Sequence, residues 1–203
     1  PTKTAAIVRY GAFGDAIQAS SVLPGLKEQG FHITCYTNPR SADVLRHDPH
    51  IDAWFVQDTD QVPNMMLGEF WAHEAAKFDR WINLSESVEG TLLALPGRPN
   101  HKWPANLKRR LMDVNYFEFT HELAQVPMPP KPKFYASDEE KAWARKERAR
   151  IGGETLVMYT LAGSSVHKVW PHQDQLFARI LLKHPQARIV TVGDELGQML
   201  EIG

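Results

Sequence analysis

Short apolar runs alternate with segments of helical spacing along the first half of the chain. Four runs rich in apolar and β-branched residues predict strands: 4–11, 31–37, 51–58 and 79–85. The segments between them predict helices: 15–30, 41–49 and 64–78. Strands joined through helices lie parallel in one sheet, with right-handed crossovers. The first half of the chain therefore predicts an α/β fold with a parallel sheet.

The same pattern returns after a proline-rich stretch. Residues 127–137 contain four prolines and predict an extended connection. The highly charged segment 138–152 predicts a helix that begins after Ser137 as N-cap and ends at Gly152. A strand, a helix and a strand follow: 155–163, 172–185 and 187–193. The chain therefore holds two strand–loop–helix–strand units, the arrangement of two Rossmann-like domains in tandem.

These elements divide the chain into three parts: 1–126, 127–154 and 155–203. The last part stops at the start of a helix, so we expect the second Rossmann-like domain to be incomplete in these 203 residues. Within it, Leu176, Ile180 and Leu181 predict one apolar face of the helix 172–185.

Some single positions carry their own expectations. Pro24 lacks an N–H and should interrupt the helix 15–30. Cys35 on the second strand is expected to be a small buried residue, and Trp54 and Trp81 on later strands are expected in the core. Residues 86–125 predict only a Pro/Gly-rich loop followed by a helix near their end.

Composition excludes several classes of protein. The formal charge of −1, from 23 basic and 24 acidic residues, argues against a nucleic-acid binder that relies on a global positive field. A single cysteine excludes an intramolecular disulfide framework and suits a reducing compartment. No apolar run reaches the ~18 residues of a membrane span. We therefore expect a cytoplasmic protein, with peripheral contact at the inner face of the membrane left open.

The loops after the first strand of each unit have opposite chemistry. The first, Gly11 to Asp15, places a carboxylate where a helix begins, and it lacks the GxGxxG pattern of dinucleotide-binding proteins. Asp15 is either the N-cap of that helix or a general base facing a cleft, and both roles are compatible. The second, Gly163 to Lys168, carries hydroxyls and a cation at a helix start, which suits an anion such as a diphosphate.

Two stretches resemble a known family. "RYGAFGDAIQASSVLPGLKE" and "LAGSSVHKVWPHQDQLFARI" are similar to the two signatures of glycosyltransferase family 9, the heptosyltransferases of lipopolysaccharide core assembly. The first signature is an Arg-containing strand, a loop ending in Gly-Asp, and a helix with a Pro before Leu. The second is a Gly/Ser loop followed by Lys-x-Trp-Pro. The two stretches occur in the family's order and at a wide separation.

The resemblance implies a GT-B fold, in which one Rossmann-like domain holds the acceptor and the other the nucleotide sugar. By position, Asp15 matches the general base, and Gly11 and Gly14 belong to the acceptor loop. The residues that match the donor side are Ser164, Ser165, Lys168 and, by a loose alignment, Glu195. The family's usual third donor-site segment has no counterpart before Gly203, so we expect the 203-residue chain alone to be inactive.

The implied reaction is an inverting transfer of a sugar, a heptose in this family, from a nucleotide-sugar donor such as ADP-heptose to a hydroxyl of a glycolipid or oligosaccharide acceptor. It requires no metal and no cofactor. A basic segment with Arg98, Lys102, Arg109 and Arg110 is either a rim for an anionic acceptor or a solvated helix face. Asp58 and Asp60 form a DxD pattern, which we interpret as a polar turn rather than a metal site.

Two alternatives remain for the function. The chain is also compatible with a non-catalytic module that binds a glycan or a protein and derives from a shortened GT-B protein. An NAD-dependent oxidoreductase on the same fold is disfavoured, because Tyr36, Thr37 and Asn38 stand where an acidic ribose-binding residue would end the second strand.

Overall fold

The computed structural model describes most of the chain: residues 2–58, 62–85, 104–111, 115–129, 131–160 and 169–193. The contacts divide the chain into two compact units, Pro1–Ala136 and Ser137–Gly203. The division therefore falls at the N-cap of the charged helix.

Unit 1 contains a four-stranded parallel sheet in the order β3-β2-β1-β4. Its strands are β1 Lys3–Val8, β2 Phe31–Thr37, β3 Ala53–Val56 and β4 Arg80–Asn83. Its helices are α1 Phe13–Ser20, α2 Leu23–Glu28, α3 Pro39–Leu45, α4 Leu67–Ala75, α5 Ala105–Leu111 and α6 Tyr116–Ala124, with a 3₁₀ turn at Asn64–Met66. The predicted parallel α/β fold is confirmed for this unit.

The central strand β1 is buried on both faces. On one face, Ile7 packs with Leu23 and Leu26 of α2 and with Ile33 of β2. On the other, Val8 belongs to an aromatic cluster that includes Tyr36 and the fully buried Trp71. Continuous apolar strands such as "TAAIV" are typical of sheets covered on both faces. The carboxyl end of β1 is therefore held on a rigid layer.

Pro24 divides the first predicted helix in two. The helix α1 ends at Ser20, and α2 begins at Leu23, so Pro24 occupies the second position of α2. A proline is tolerated there because the first N–H groups of a helix have no partner within it. The prediction of an interruption is confirmed, and the helix begins at Phe13, two residues before the predicted start.

Two of the three core expectations hold. Cys35 is buried on β2, and Trp81 packs against the aromatic cluster. The expectation that Trp54 lies in the core is wrong, because its side chain is 38% exposed. It lies on β3, which has a hydrogen-bonded neighbour on one side only among the described strands. An edge strand can leave one side chain in water without breaking the core.

Unit 2 contains α7 Asp138–Ile151, β5 Thr155–Thr160, α8 Gln173–Lys183 and β6 Ala187–Val192. The strands β5 and β6 pair in parallel, as predicted. Ser137 caps α7 and forms a capping box with Glu140, and Gly152 ends it with φ +70°.

The predicted apolar face of α8 is only partly buried. Ile180 is half-buried, while Leu176 and Leu181 are more than a third exposed. Phe177 makes the aromatic contact with the sheet instead, edge to face with Tyr159 at 4.9 Å between ring centroids. None of the helices in the described ranges is long and apolar enough to cross a membrane.

Candidate active site

The candidate site is the turn between β1 and α1, at the carboxyl edge of the sheet, where open α/β sheets bind their ligands. Neighbouring strands hold its start. The Arg9 N–H donates to Tyr36 O at 3.0 Å, and Thr37 Oγ1 donates to Arg9 O at 2.7 Å. The Tyr10 N–H donates to Ser85 Oγ at 3.2 Å. The turn is therefore fixed to β2 and to the end of β4.

Gly11 lies at a point of this turn where the Asp15 carboxylate leaves no room for a side chain. Its φ is +154°, and a Cβ placed on it would lie 2.7 Å from Asp15 Oδ2. Its carbonyl accepts hydrogen bonds from Asn38 Nδ2 at 2.8 Å and Ser41 Oγ at 3.3 Å. Only glycine leaves room for the carboxylate at this point, and α3 holds the peptide in place.

Asp15 occupies the third position of α1, and Ala12 is the N-cap. The interpretation of Asp15 as the N-cap is therefore wrong, although its carboxylate does serve the helix end. Its Oδ2 accepts the N–H of Ala12 at 2.8 Å, as the acidic member of a capping box does. The alanine has no side-chain oxygen, so only this half of the box exists.

The second carboxylate oxygen of Asp15 makes an ion pair. Arg9 Nη2 lies 2.9 Å from Asp15 Oδ1, with the arginine side chain 5% and the aspartate side chain 36% exposed. The guanidinium and the Ala12 N–H together hold the carboxylate in one orientation. Asp15 is therefore a fixed carboxylate with one open side, the form in which a side chain can accept a proton from a bound hydroxyl.

The first turn of α1, next to Asp15, is exposed. Phe13 is 54% exposed, and among the described residues, apart from the chain neighbours and the helix backbone, no atom lies within 4 Å of the point where a Cβ on Gly14 would stand. The residues that precede Asp15 on this turn therefore face solvent.

A buried network lies on the α4 face of the same sheet. Tyr36 Oη donates to Glu74 Oε2 at 2.7 Å, and Lys77 Nζ donates to the other oxygen. Burial and the bond to Glu74 raise the pKa of Tyr36 above its ordinary value. Burial alone would raise the pKa of Glu74, but the hydrogen bonds from Lys77 and Tyr36 lower it. This network stabilises β2 against α4 and does not reach Asp15 within the described contacts.

The other predicted site residues lie mostly outside the described part of the chain: Ser164, Ser165, Lys168, Glu195, Arg98, Lys102 and Asp60. Arg109 is exposed on α5, and of Arg110 only the helical backbone is described. Asp58 is exposed just after β3. Among the described residues, no group of three His, Cys, Asp or Glu side chains is arranged to hold a metal ion.

Sequence reasoning missed two residues of the site. Arg9 stands in the quoted motif, six positions before Asp15, but its pairing was not predicted. In the sequence, Asn38 indicates only that no acidic ribose-binding residue ends the second strand. An Asn followed by Pro directly after a strand is a recognisable start of a helix, although nothing in that pattern indicates a bond to Gly11.

Comparison with known proteins gives matches at the level of structure. No family model and no curated protein matches the chain. A glycosyltransferase family 9 structure from Veillonella parvula is 17% identical, with a TM-score of 0.66 over 98% of this chain and 66% of that one. The E. coli heptosyltransferase WaaC with ADP-2-deoxy-2-fluoro heptose is 15% identical, with a TM-score of 0.58 over 97% and 71%.

The chain has the fold of these glycosyltransferases. The E. coli ADP-heptose lipopolysaccharide heptosyltransferase II is a third example, 15% identical with a TM-score of 0.53 over 94% of this chain and 64% of that one. The predicted resemblance to family 9 and the GT-B type of α/β fold are therefore confirmed. The chain spans about two thirds of the length of these structures.

Proposed function

We propose that the chain belongs to an inverting glycosyltransferase that moves a sugar from a nucleotide-sugar donor to a hydroxyl of a glycolipid or oligosaccharide acceptor. The observation that supports this most is Asp15. In a glycosyltransferase fold, it is a fixed carboxylate with an open side at the carboxyl edge of the first sheet.

In the proposed reaction, Asp15 takes the proton of the acceptor hydroxyl while the hydroxyl oxygen attacks the anomeric carbon. The new C–O bond forms as the bond from that carbon to the diphosphate breaks, and the electron pair leaves with the diphosphate. Attack from the side opposite the leaving group inverts the anomeric carbon. The chemistry needs no covalent intermediate on the protein, and we propose that it needs no metal or other cofactor.

The donor would bind the second unit. We propose that Ser164, Ser165 and Lys168 hold its diphosphate and that Glu195 contacts the ribose. The lysine would stabilise negative charge as it develops on the leaving group. Two of the structures with this fold are WaaC with ADP and with ADP-2-deoxy-2-fluoro heptose, which makes ADP-heptose the first donor to test.

The acceptor would approach Asp15 past the exposed Phe13 and Gly14. We propose that Arg98, Lys102, Arg109 and Arg110 contact anionic groups on it, since guanidinium groups bind phosphates and carboxylates in two-pronged geometry. A lipid-linked acceptor would place the protein in the cytoplasm at the inner face of the membrane. Peripheral binding would then be enough to reach it.

The test is direct transfer with the intact protein. Purified protein is incubated with ADP-heptose or other nucleotide sugars and a truncated lipopolysaccharide core, with and without a chelator. We expect release of the nucleoside diphosphate together with a glycosylated acceptor of inverted anomeric configuration by NMR, in both conditions. Glycan binding without turnover in the intact protein would favour the non-catalytic module instead.

A further inference from the structure

A single peptide group connects Asn38 to the proposed base. The carbonyl of Gly11 accepts the hydrogen bond from Asn38 Nδ2 at 2.8 Å. The N–H of Ala12, which belongs to the same peptide group, donates to Asp15 Oδ2 at 2.8 Å. Because the peptide group is planar, the direction of its carbonyl sets the direction of its N–H. The side chain of Asn38, supported by a longer bond from Ser41 Oγ at 3.3 Å, therefore aims the N–H that holds the carboxylate.

Asn38 makes this bond and caps α3 at the same time. Its Oδ1 accepts the N–H of Ser41 at 2.9 Å, so the two ends of the amide are occupied by two different elements. The bond at Oδ1 determines that the nitrogen faces Gly11. The cap fixes the Asn38 side chain to α3. The amide nitrogen of Asn38 therefore holds the Gly11 carbonyl from a fixed position.

We infer that Asn38 is a positioning residue for Asp15: it orients the Gly11–Ala12 peptide so that the carboxylate faces the acceptor. The inference rests on the proposed function for its catalytic consequence, and on the hydrogen bonds alone for its structural part. Bonds in series through one peptide polarise each other. Loss of the Asn38 donor should therefore loosen the Ala12–Asp15 bond as well.

Asn38→Asp separates the two roles of the side chain. A carboxylate still accepts the Ser41 N–H and caps α3, but it cannot donate to Gly11. We expect a modestly lower melting temperature, because one hydrogen bond is lost, unchanged donor affinity, and a kcat roughly ten- to a hundredfold lower, the loss that a displaced catalytic group causes. Asn38→Ser, which also caps but is too short to bridge, should behave in the same way.

Asn115→Asp is the matched control. Asn115 caps α6 through Oδ1, which accepts the Phe117 N–H at 2.8 Å. Within the described part of the chain its Nδ2 bonds to no other residue. The same substitution there keeps the cap and removes no donor bond, so activity should stay at the wild-type level.

Two measurements distinguish positioning from a general structural role. In an Asp15→Asn background, Asn38→Asp should lower kcat no further, because the group that it positions is already gone. Amide exchange at Ala12, followed by NMR, should speed up in Asn38→Asp and not in Asn115→Asp. This second measurement needs no activity, so it remains valid even if the proposed transfer fails.

Three results would overturn the inference. They are wild-type kcat in a folded Asn38→Asp variant, unchanged exchange at Ala12, and unfolding of Asn38→Asp despite its intact cap. If the wild-type protein transfers no sugar at all while exchange at Ala12 responds as expected, the proposed function fails and the structural part of the inference stands.

Discussion

Arg9 Nη2 lies 2.9 Å from Asp15 Oδ1, across the turn that joins β1 to α1. The arginine is buried and the aspartate is partly open, so the pair has one side in the protein and one side facing solvent. Arg9 keeps the carboxylate in place, and Asp15 neutralises a charge that would otherwise be costly to bury. A substitution at Asp15 should therefore change stability and chemistry together.

Asp15→Asn should lower kcat by ~10²–10⁴ if the carboxylate is the general base, which is the usual contribution of positioned acid–base catalysis. Donor affinity should stay unchanged, because the donor is proposed to bind the other unit. Stability should fall by about 1.5–3 kcal/mol, since a hydrogen bond to a charged group is lost beside a buried guanidinium. Steady-state kinetics, calorimetry and thermal unfolding measure the three effects.

The control for that variant is Asp43→Asn. Asp43 pairs with Arg46 at 2.8 Å on the exposed surface of α3, and such pairs contribute about 0–1 kcal/mol. Its kcat should match the wild type. An Asp15→Asn variant with near-normal kcat would remove the general-base role and leave Asp15 as a partner of Arg9 and Ala12 only.

Gly11→Ala should damage the site, because the new Cβ would stand 2.7 Å from Asp15 Oδ2 at a φ of +154°. We expect a lower melting temperature and a large loss of kcat. Gly14→Ala is the matched comparison: in the described part of the chain, beyond its neighbours in sequence and the helix backbone, nothing lies within 4 Å of its Cβ, and alanine favours the helix over glycine by about 0.5–1 kcal/mol. Its melting temperature should be equal or higher. Equal melting temperatures for Gly11→Ala and wild type would contradict the close approach.

Lys168→Ala tests the donor loop. A charge-assisted contact to phosphate contributes about 1.5–3 kcal/mol, so donor affinity should fall by an order of magnitude or more. Calorimetry with the nucleotide sugar measures it, with Lys183→Ala at the exposed end of α8 as the control. An unchanged affinity in Lys168→Ala would exclude the lysine from the donor site.

Tyr36→Phe tests the network on the other face of the sheet. It removes the bond to the buried Glu74 and should cost about 1.5–3 kcal/mol of unfolding free energy. The pKa of Glu74 is lowered in the folded state. The contribution of Glu74 to the free energy of unfolding is therefore complete above the ordinary pKa of a glutamate, and it is lost as the pH falls through the pKa of the folded state. Tyr36→Phe should therefore flatten the acid side of the stability profile.

Urea unfolding at neutral pH and at about pH 4 measures this effect. Tyr159→Phe is the control, because within the described residues Tyr159 makes a ring contact with Phe177 and no hydrogen bond through its hydroxyl. Equal acid sensitivity in wild type and Tyr36→Phe would show that the Tyr36 hydroxyl is not needed for the low pKa of Glu74.

The start of α1 marks the limit of what the sequence predicts about the site. The motif placed Asp15 at the mouth of a helix, but an Asp near a helix start can be the N-cap or a residue of the first turn. The choice depended on Asn38, Ser41 and Ser85, which hold the preceding turn so that the helix begins at Phe13. Trp54 shows the same limit in the core: its strand was predicted, but not whether an element covers that side of β3.

The sequence by itself determined the succession of strands and helices along the chain, the parallel sheet, the burial of Cys35 and a carboxylate at the start of α1. These depend on residue periodicity and on neighbours a few positions apart, which a single chain displays directly. Only the tertiary structure decided that Asn38 and the buried Arg9 together orient Asp15. Asn38 lies 27 positions from Gly11, whose carbonyl it contacts. Parallel pairing of β1 with β2 brings their carboxyl ends to one edge, and residues distant in sequence meet there only after the sheet has formed.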